Sequence, residues 1–175
     1  MRVLGVDPGL TRCGVGVVDG APGRLPVLAG VGVITTPASL DHARRLLRIE
    51  DGLSQWVDEY RPDVVVVERV FADQNLHSVI GTAQAAGLAM VVAARHGLPV
   101  HTYTPTEVKA AVSGSGRADK AQVGSMVARV LKLDAVPKPA DAADAVALAI
   151  CHVWRGAATD RIEAALARQK LGRTA

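Results

Sequence analysis

The sequence predicts one three-layer α/β domain: a five-stranded mixed sheet, antiparallel in its first half and parallel in its second, with helices on both faces. Three strand-like runs at the start are joined by short links, which makes them antiparallel neighbours. The unbroken apolar run Val64-Val65-Val66-Val67 follows a long amphipathic helix, the pattern of a central parallel strand reached by a right-handed crossover. The chain has 175 residues, 49% of them hydrophobic, enough for one domain with a real core.

The first strand, residues 3–7, delivers Asp7 straight into the turn Pro8-Gly9. Residues 14–18 and 27–35 form the second and third strands, separated by Asp19-Gly20-Ala21-Pro22-Gly23, whose Asp-Gly pair suits a tight turn. Ser39 is the expected N-cap of a helix in which Ala43, Leu46, Ile49, Leu53, Trp56 and Tyr60 recur at spacings of three and four, ending at Arg61-Pro62. Its other face, with Arg44, Arg45, Arg48, Asp51 and Asp58, reads as a solvated surface laced with ion pairs. The fourth strand is 64–67, and a loop over 69–75 leads to a helix over 76–95 ended by Gly97. Along that helix Gly81, Ala85, Ala89 and Ala93 form a stripe of small residues, suited to close approach by the protein's own sheet or by the same helix of a second subunit.

Residues 100–104 make a short fifth strand, and Thr104-Pro105 opens a helix reaching about Val112. The loop Ser113-Gly114-Ser115-Gly116-Arg117 lacks the full P-loop pattern, so nucleoside triphosphate binding is unsupported. Lys109, Arg117 and Lys120 flank it and are candidates for a phosphate backbone. Lys120, Val123, Met126, Val127, Val130 and Leu131 mark another amphipathic helix. It stops before Val136-Pro137-Lys138-Pro139, whose proline pair sets the entry angle of the last, apolar helix. Residues 1–155 are expected to be the domain, and 156–175 a tail, weakly helical or disordered.

Composition narrows the function. Aromatic residues are 3% of the chain, so the core must be aliphatic, and Phe71, the single phenylalanine, stands out in a polar loop. Cys13 and Cys151 belong to no zinc or disulfide pattern and are expected to be reduced packing residues. The apolar start is broken by Asp7-Pro8-Gly9, which argues against a signal peptide, and the apolar stretches around 83–94 and 145–154 are too short to span a bilayer. A cytoplasmic protein with no membrane partner is expected. His42, His77, His96, His101 and His152 show neither ligand spacing nor a triad.

The chemistry rests on four carboxylates. Asp7 ends the first strand, Glu68 ends the fourth, and Asp141 and Asp144 sit three apart on one face of the last helix. Parallel, adjacent first and fourth strands would bring Asp7 and Glu68 out at one sheet edge. Each acid alone reads as a turn-bonded aspartate, a solvated charge or a helix N-terminal acid. Together they repel and raise one another's pKa unless cations sit among them. Magnesium takes oxygen ligands, and two ions about 3.5–4 Å apart stabilise both the attacking and the leaving oxygen of an in-line displacement at phosphorus. Metal-dependent phosphodiester cleavage is therefore expected, with Asp7, Glu68, Asp141 and Asp144 as ligands. Setting these four acids aside under cations raises the formal charge from +3 to +7, which suits a polyanionic partner.

Gly5-Val6-Asp7-Pro8-Gly9 with Gly14-Val15-Gly16-Val17, Val67-Glu68-Arg69-Val70-Phe71, Gln84-Ala85-Ala86-Gly87 and Asp141-Ala142-Ala143-Asp144-Ala145 follow one another between about residues 3 and 152. In that order they resemble the RuvC family of bacterial Holliday-junction resolvases. Actin-like ATPases and other ribonuclease-H-like proteins share the opening motif; the Glu-x-x-Phe and Asp-x-x-Asp motifs make the resemblance specific. It implies a ribonuclease-H-like fold and a homodimeric, magnesium-dependent endonuclease with two Mg2+ per subunit, Mn2+ substituting. Such an enzyme resolves four-way DNA junctions in recombination and repair by paired symmetric nicks that leave 5′-phosphate and 3′-hydroxyl ends. The resemblance further implies Lys109 and Lys120 near the scissile strand, Lys120 among the catalytic groups, and Phe71 against the bases at the junction centre. Arg69 and Arg117 are added as DNA-binding cations, Gln84 as an interface or packing residue, and the RuvA and RuvB branch-migration complex as partner. Some relatives carry histidine where Asp141 stands. The rival readings are a related nuclease acting on RNA, an actin-like ATPase lobe, against which stand a chain too short for two lobes and the lack of further phosphate motifs, and a non-catalytic junction-binding module.

Overall fold

The computed structural model describes residues 1–21, 23–70 and 76–171, with backbone alone at 76–78 and 157–171. Its elements are β1 (Arg2–Asp7), β2 (Arg12–Asp19), β3 (Val27–Thr35), α1 (His42–Tyr60), β4 (Val64–Glu68), α2 (Leu76–Arg95), β5 (Val100–Tyr103), α3 (Pro105–Ser113), α4 (Lys120–Leu131) and α5 (Ala140–Leu171). One sheet runs β3-β2-β1-β4-β5, with β1 and β3 antiparallel to β2, and β1-β4 and β4-β5 parallel. This is the expected mixed sheet.

Strand period divides the core in two. Val3 of β1 and Val64 and Val66 of β4 pack with residues of α3, α4 and α5, whereas Leu4, Val6, Val65 and Val67 pack with those of α1 and α2. The four valines of β4 are buried because helices cover both faces. Each contributes roughly 1.5–3 kcal/mol relative to exposure. The same period sends Asp7 and Glu68 to the α3-α4-α5 side.

Helix ends mostly follow local chemistry. Thr104 and Glu107 close a capping box on α3, and Asp119 and Gln122 one on α4, which places Lys120 at the first helical position. α1 starts two residues later than Ser39 predicts. Leu40 N bonds Pro37 O in a turn, and the Asp41 carboxylate accepts from Arg44 N at 2.9 Å. On the polar face of α1, Glu50 pairs with Arg95 of α2 and Asp58 with His96. α5 continues through Leu171, so residues 156–171 of the expected tail are helical backbone.

The small-residue stripe of α2 faces the protein's own sheet. Ala85, Ala89 and Ala93 are buried in the core with Val6 and Val67, and Gly81 abuts Leu10. A second subunit would have to use the opposite face, where Ile80 and Val91 are 54% and 44% exposed. Cys13 and Cys151 are free and buried, and burial pushes both thiols up to about 12. His152 is buried, with Nδ1 3.0 Å from the Tyr103 hydroxyl. No helix among the described residues is long and apolar enough to cross a membrane.

Candidate active site

Two close approaches assemble the site. Val6 pairs with Val67 across the parallel β1-β4 ladder, so the next residues, Asp7 and Glu68, leave the sheet side by side on one face. Asp7 is also the antiparallel partner of Gly14 in β2. A Cβ on Gly14 would lie 2.0 Å from the Asp141 carbonyl oxygen, and one on Gly5 2.1 Å from that of Ala145. The missing side chains let the N-terminal turns of α5 settle directly on the sheet, Asp141 over β2 and Ala145 and Ala149 over β1. That contact carries Asp141 and Asp144 over the strand ends.

Asp7, Glu68 and Asp144 line one cavity of about 220 Å³ together with Lys109, Lys120 and Val108. The Lys120 Nζ donates to Asp144 Oδ2 at 2.8 Å, and this bond raises the lysine's pKa. Burial, followed by the charges of Glu68, Asp144 and Asp141, pushes the Asp7 carboxyl from 3.8 up to about 8. The Asp7 and Glu68 side chains share a hydrogen bond, and the pKa of Glu68 is itself raised, by burial first and then by Asp144.

Asp141 turns toward β2, with Oδ2 2.9 Å from Arg12 Nε. The two form an ion pair by distance, yet the alignment falls short of a hydrogen bond and leaves Oδ2 a buried acceptor without one. Among the described residues no three acidic, histidine or cysteine side chains close into a preformed metal cage. The protein's own cations hold two of the acids instead, Arg12 on Asp141 and Lys120 on Asp144. The donor set still fits a hard divalent cation: every group is a carboxylate, one buried oxygen lacks a hydrogen bond, and the crowding of acids that raises the Asp7 and Glu68 pKa values is what a cation would relieve.

The fold thus gathers Asp7, Glu68, Asp144, Lys109 and Lys120 in one cleft, with Asp141 on the adjoining turn of α5. Arg69 and Arg117 do not line it. The Arg69 guanidinium donates to Thr102 Oγ1 at 3.0 Å, and Arg117 borders a separate groove with Ser113 and Gln122. Phe71 lies outside the described residues. Arg12 was missed by sequence reasoning. Its signal is the strand period: two residues before Gly14, it shares the face that meets α5.

A family model described as crossover junction endodeoxyribonuclease RuvC matches residues 3–152. The chain belongs to the RuvC family. The RuvC protein of Cutibacterium acnes is 72% identical over 172 residues, covering 98% of this chain and 88% of that protein. The RuvC of Streptomyces avermitilis is 64% identical over 176 residues and covers all of both. Among solved structures, Thermus thermophilus RuvC in complex with a Holliday junction substrate is similar at a TM-score of 0.85 and 33% identity, covering 89% of this chain and 94% of that one. The fold is therefore ribonuclease-H-like, and family membership makes the chain a nuclease, a hydrolase of phosphodiester bonds.

Proposed function

We propose that the protein is a homodimeric, magnesium-dependent endonuclease that resolves four-way DNA junctions by paired symmetric nicks, leaving 5′-phosphate and 3′-hydroxyl ends. The observation that carries this reading is the single cleft in which Asp7, Glu68 and Asp144 face Lys109 and Lys120. The capture of the Thermus relative with a Holliday junction supports the choice of substrate.

Asp7, Glu68, Asp141 and Asp144 would hold two Mg2+ ions, with Mn2+ substituting. When bound, such ions supply Lewis-acid charge and lower the pKa of an attacking water. Asp7, whose pKa burial and the neighbouring acids raise to about 8, would hold an ion as the carboxylate, its proton passing to solvent. Lys120, catalytic in this reading, has a largely exposed side chain that can leave Asp144 and place its ammonium on the charge developing at the scissile phosphate. Lys109 neutralises the phosphate from α3, and Val108 and Ala147 form an apolar wall that limits water beside the reacting group. Arg12 releases Asp141 and is free to meet the phosphate backbone.

Pairing of nicks follows from a two-fold dimer. The outward face of α2, with Ile80, Gly87, Met90 and Val91, offers an apolar surface for the second copy. Gln84, exposed on the same face and 2.6 Å from His42 Nε2, is an interface residue in this reading. Phe71 meets the bases at the junction centre, and Arg69 and Arg117 contact backbone phosphates outside the cleft. RuvA and RuvB would supply and move the junction in recombination and repair, and action on chromosomal DNA places the protein in the cytoplasm.

The test is nicking of a synthetic immobile four-way junction beside linear duplex DNA and an RNA duplex, with and without Mg2+. Wild type should cut the junction alone and only with metal, while Asp7→Asn binds the junction and does not cut. Equal cutting by the two proteins refutes the assignment, and preferential RNA cutting replaces the substrate.

A further inference from the structure

A second, larger cavity adjoins the carboxylate cleft. It encloses about 650 Å³, within the roughly 300–1,000 Å³ of ligand clefts. Its walls are apolar: Val123 and Gly124 of α4, Val136, Pro137 and Pro139 of the linking segment, and Ala143 of α5. Its charged lining groups are Lys120, Lys138 and Asp144. Lys120, Val123 and Asp144 also line the carboxylate cleft, so the two cavities share a wall.

The segment that makes the far wall is pre-set. Proline fixes its own backbone angle, so Pro137 and Pro139 present rigid rings without an ordering cost on binding. Gly124 lets this wall lie close to α4, since a Cβ there would meet Val136 Cγ1 at 2.9 Å. The sequence pattern singled out these prolines only for aiming α5; the cavity gives them a second role.

We propose that this cavity seats the nucleotide next to the scissile phosphate on the cut strand, its base against Val136, Pro137 and Pro139 and its backbone phosphate toward Lys138. The proposal rests on the nuclease reading above. Continuity with the cleft selects the occupant, because a strand placed with one phosphate among the four acids must run on into a neighbouring space. Charge agrees: the lining cations outnumber the single carboxylate, which is itself paired to Lys120. Apolar walls meet base faces rather than base edges, so the seat positions the strand and gives a graded sequence preference rather than an absolute one.

The test is single-turnover cleavage of junctions carrying one abasic residue at each nucleotide flanking the cut, by wild type, Val136→Trp and Lys138→Ala, with junction Kd and Tm measured alongside. Val136 is 38% exposed, so tryptophan there fills the cavity from its edge. One flanking abasic position should slow wild type about tenfold, a loss in the range of one base-stacking contact. Val136→Trp should slow cleavage of the intact junction by a similar factor, lose little more on the abasic one, and keep its Tm and junction Kd. If Val136→Trp lowers Tm, Lys138→Ala carries the test, and its loss must likewise shrink on the abasic junction. Wild-type rates in both variants, multiplying losses, or indifference to every flanking abasic position overturn the seat while leaving the nuclease reading standing. Cutting by Asp7→Asn equal to wild type removes the nuclease reading itself.

Discussion

Replacing Asp7 by asparagine should abolish cutting and, without metal, stabilise the fold. Burial and three neighbouring acids move the Asp7 carboxyl from 3.8 to about 8. At 1.36 kcal/mol per pH unit this bounds the cost of ionising Asp7 in the folded chain at about 5–6 kcal/mol. Local rearrangement of the cleft reduces the expected gain to about 1–3 kcal/mol. The folded chain holds this proton more tightly than the unfolded chain does. Its contribution is therefore fully present below about pH 4 and is lost as pH rises toward 8. Asparagine keeps the shape, donates to Glu68 through Nδ2 and cannot ionise. Thermal melts in EDTA should show the variant melting about 2–12 °C above wild type at pH 8, at roughly 2–4 °C per kcal/mol, with the gap closing toward pH 4. Added Mg2+ should raise the wild-type Tm and leave the variant nearly unmoved. A variant that melts below wild type at pH 8 in EDTA, or a gap that does not change with pH, would refute the electrostatic reasoning.

Lys120→Ala should cost about 10²-fold in cleavage, as for loss of one transition-state donor. Its ion pair with Asp144 is largely exposed on the lysine side, so Tm should change by little. Arg12→Ala frees Asp141, and calorimetric titration should show tighter Mn2+ binding; weaker binding would make Arg12 a support for the acid rather than a competitor of the metal. Gly14→Ala drives a methyl into the Asp141 carbonyl, so α5 must shift, and denaturant unfolding should show a loss of about 3 kcal/mol or more. An unchanged midpoint would remove the claim that this contact seats α5.

The parts of the fold that were legible rest on strong local patterns. Four successive valines can be buried only between two covered faces, and the short links before residue 35 leave antiparallel pairing as the simple solution. The long helix between the early strands and β4 adds a right-handed crossover that lets β1 and β4 be parallel neighbours, with Asp7 beside Glu68, and helical spacing put Asp141 and Asp144 on one face, so the acids could be named from the chain alone. The cap of α1 was misplaced because Ser39 and Asp41 are equally good caps, and the choice falls to the turn at residues 37–40. The stripe on α2 was ambiguous because small residues permit any close neighbour, and its own sheet took the place. Arg12 stayed hidden for a third reason: only after β2 pairs with β1, and Gly14 admits α5, does an ordinary strand arginine come within reach of Asp141.

The central claim is that acids from β1, β4 and α5 together hold divalent ions. Calorimetric titration of Mn2+ into wild type and into Glu68→Gln and Asp144→Asn measures it without reference to cutting. Two ions per wild-type chain are expected, with loss of at least one in each variant. Undiminished binding in both variants would contradict it.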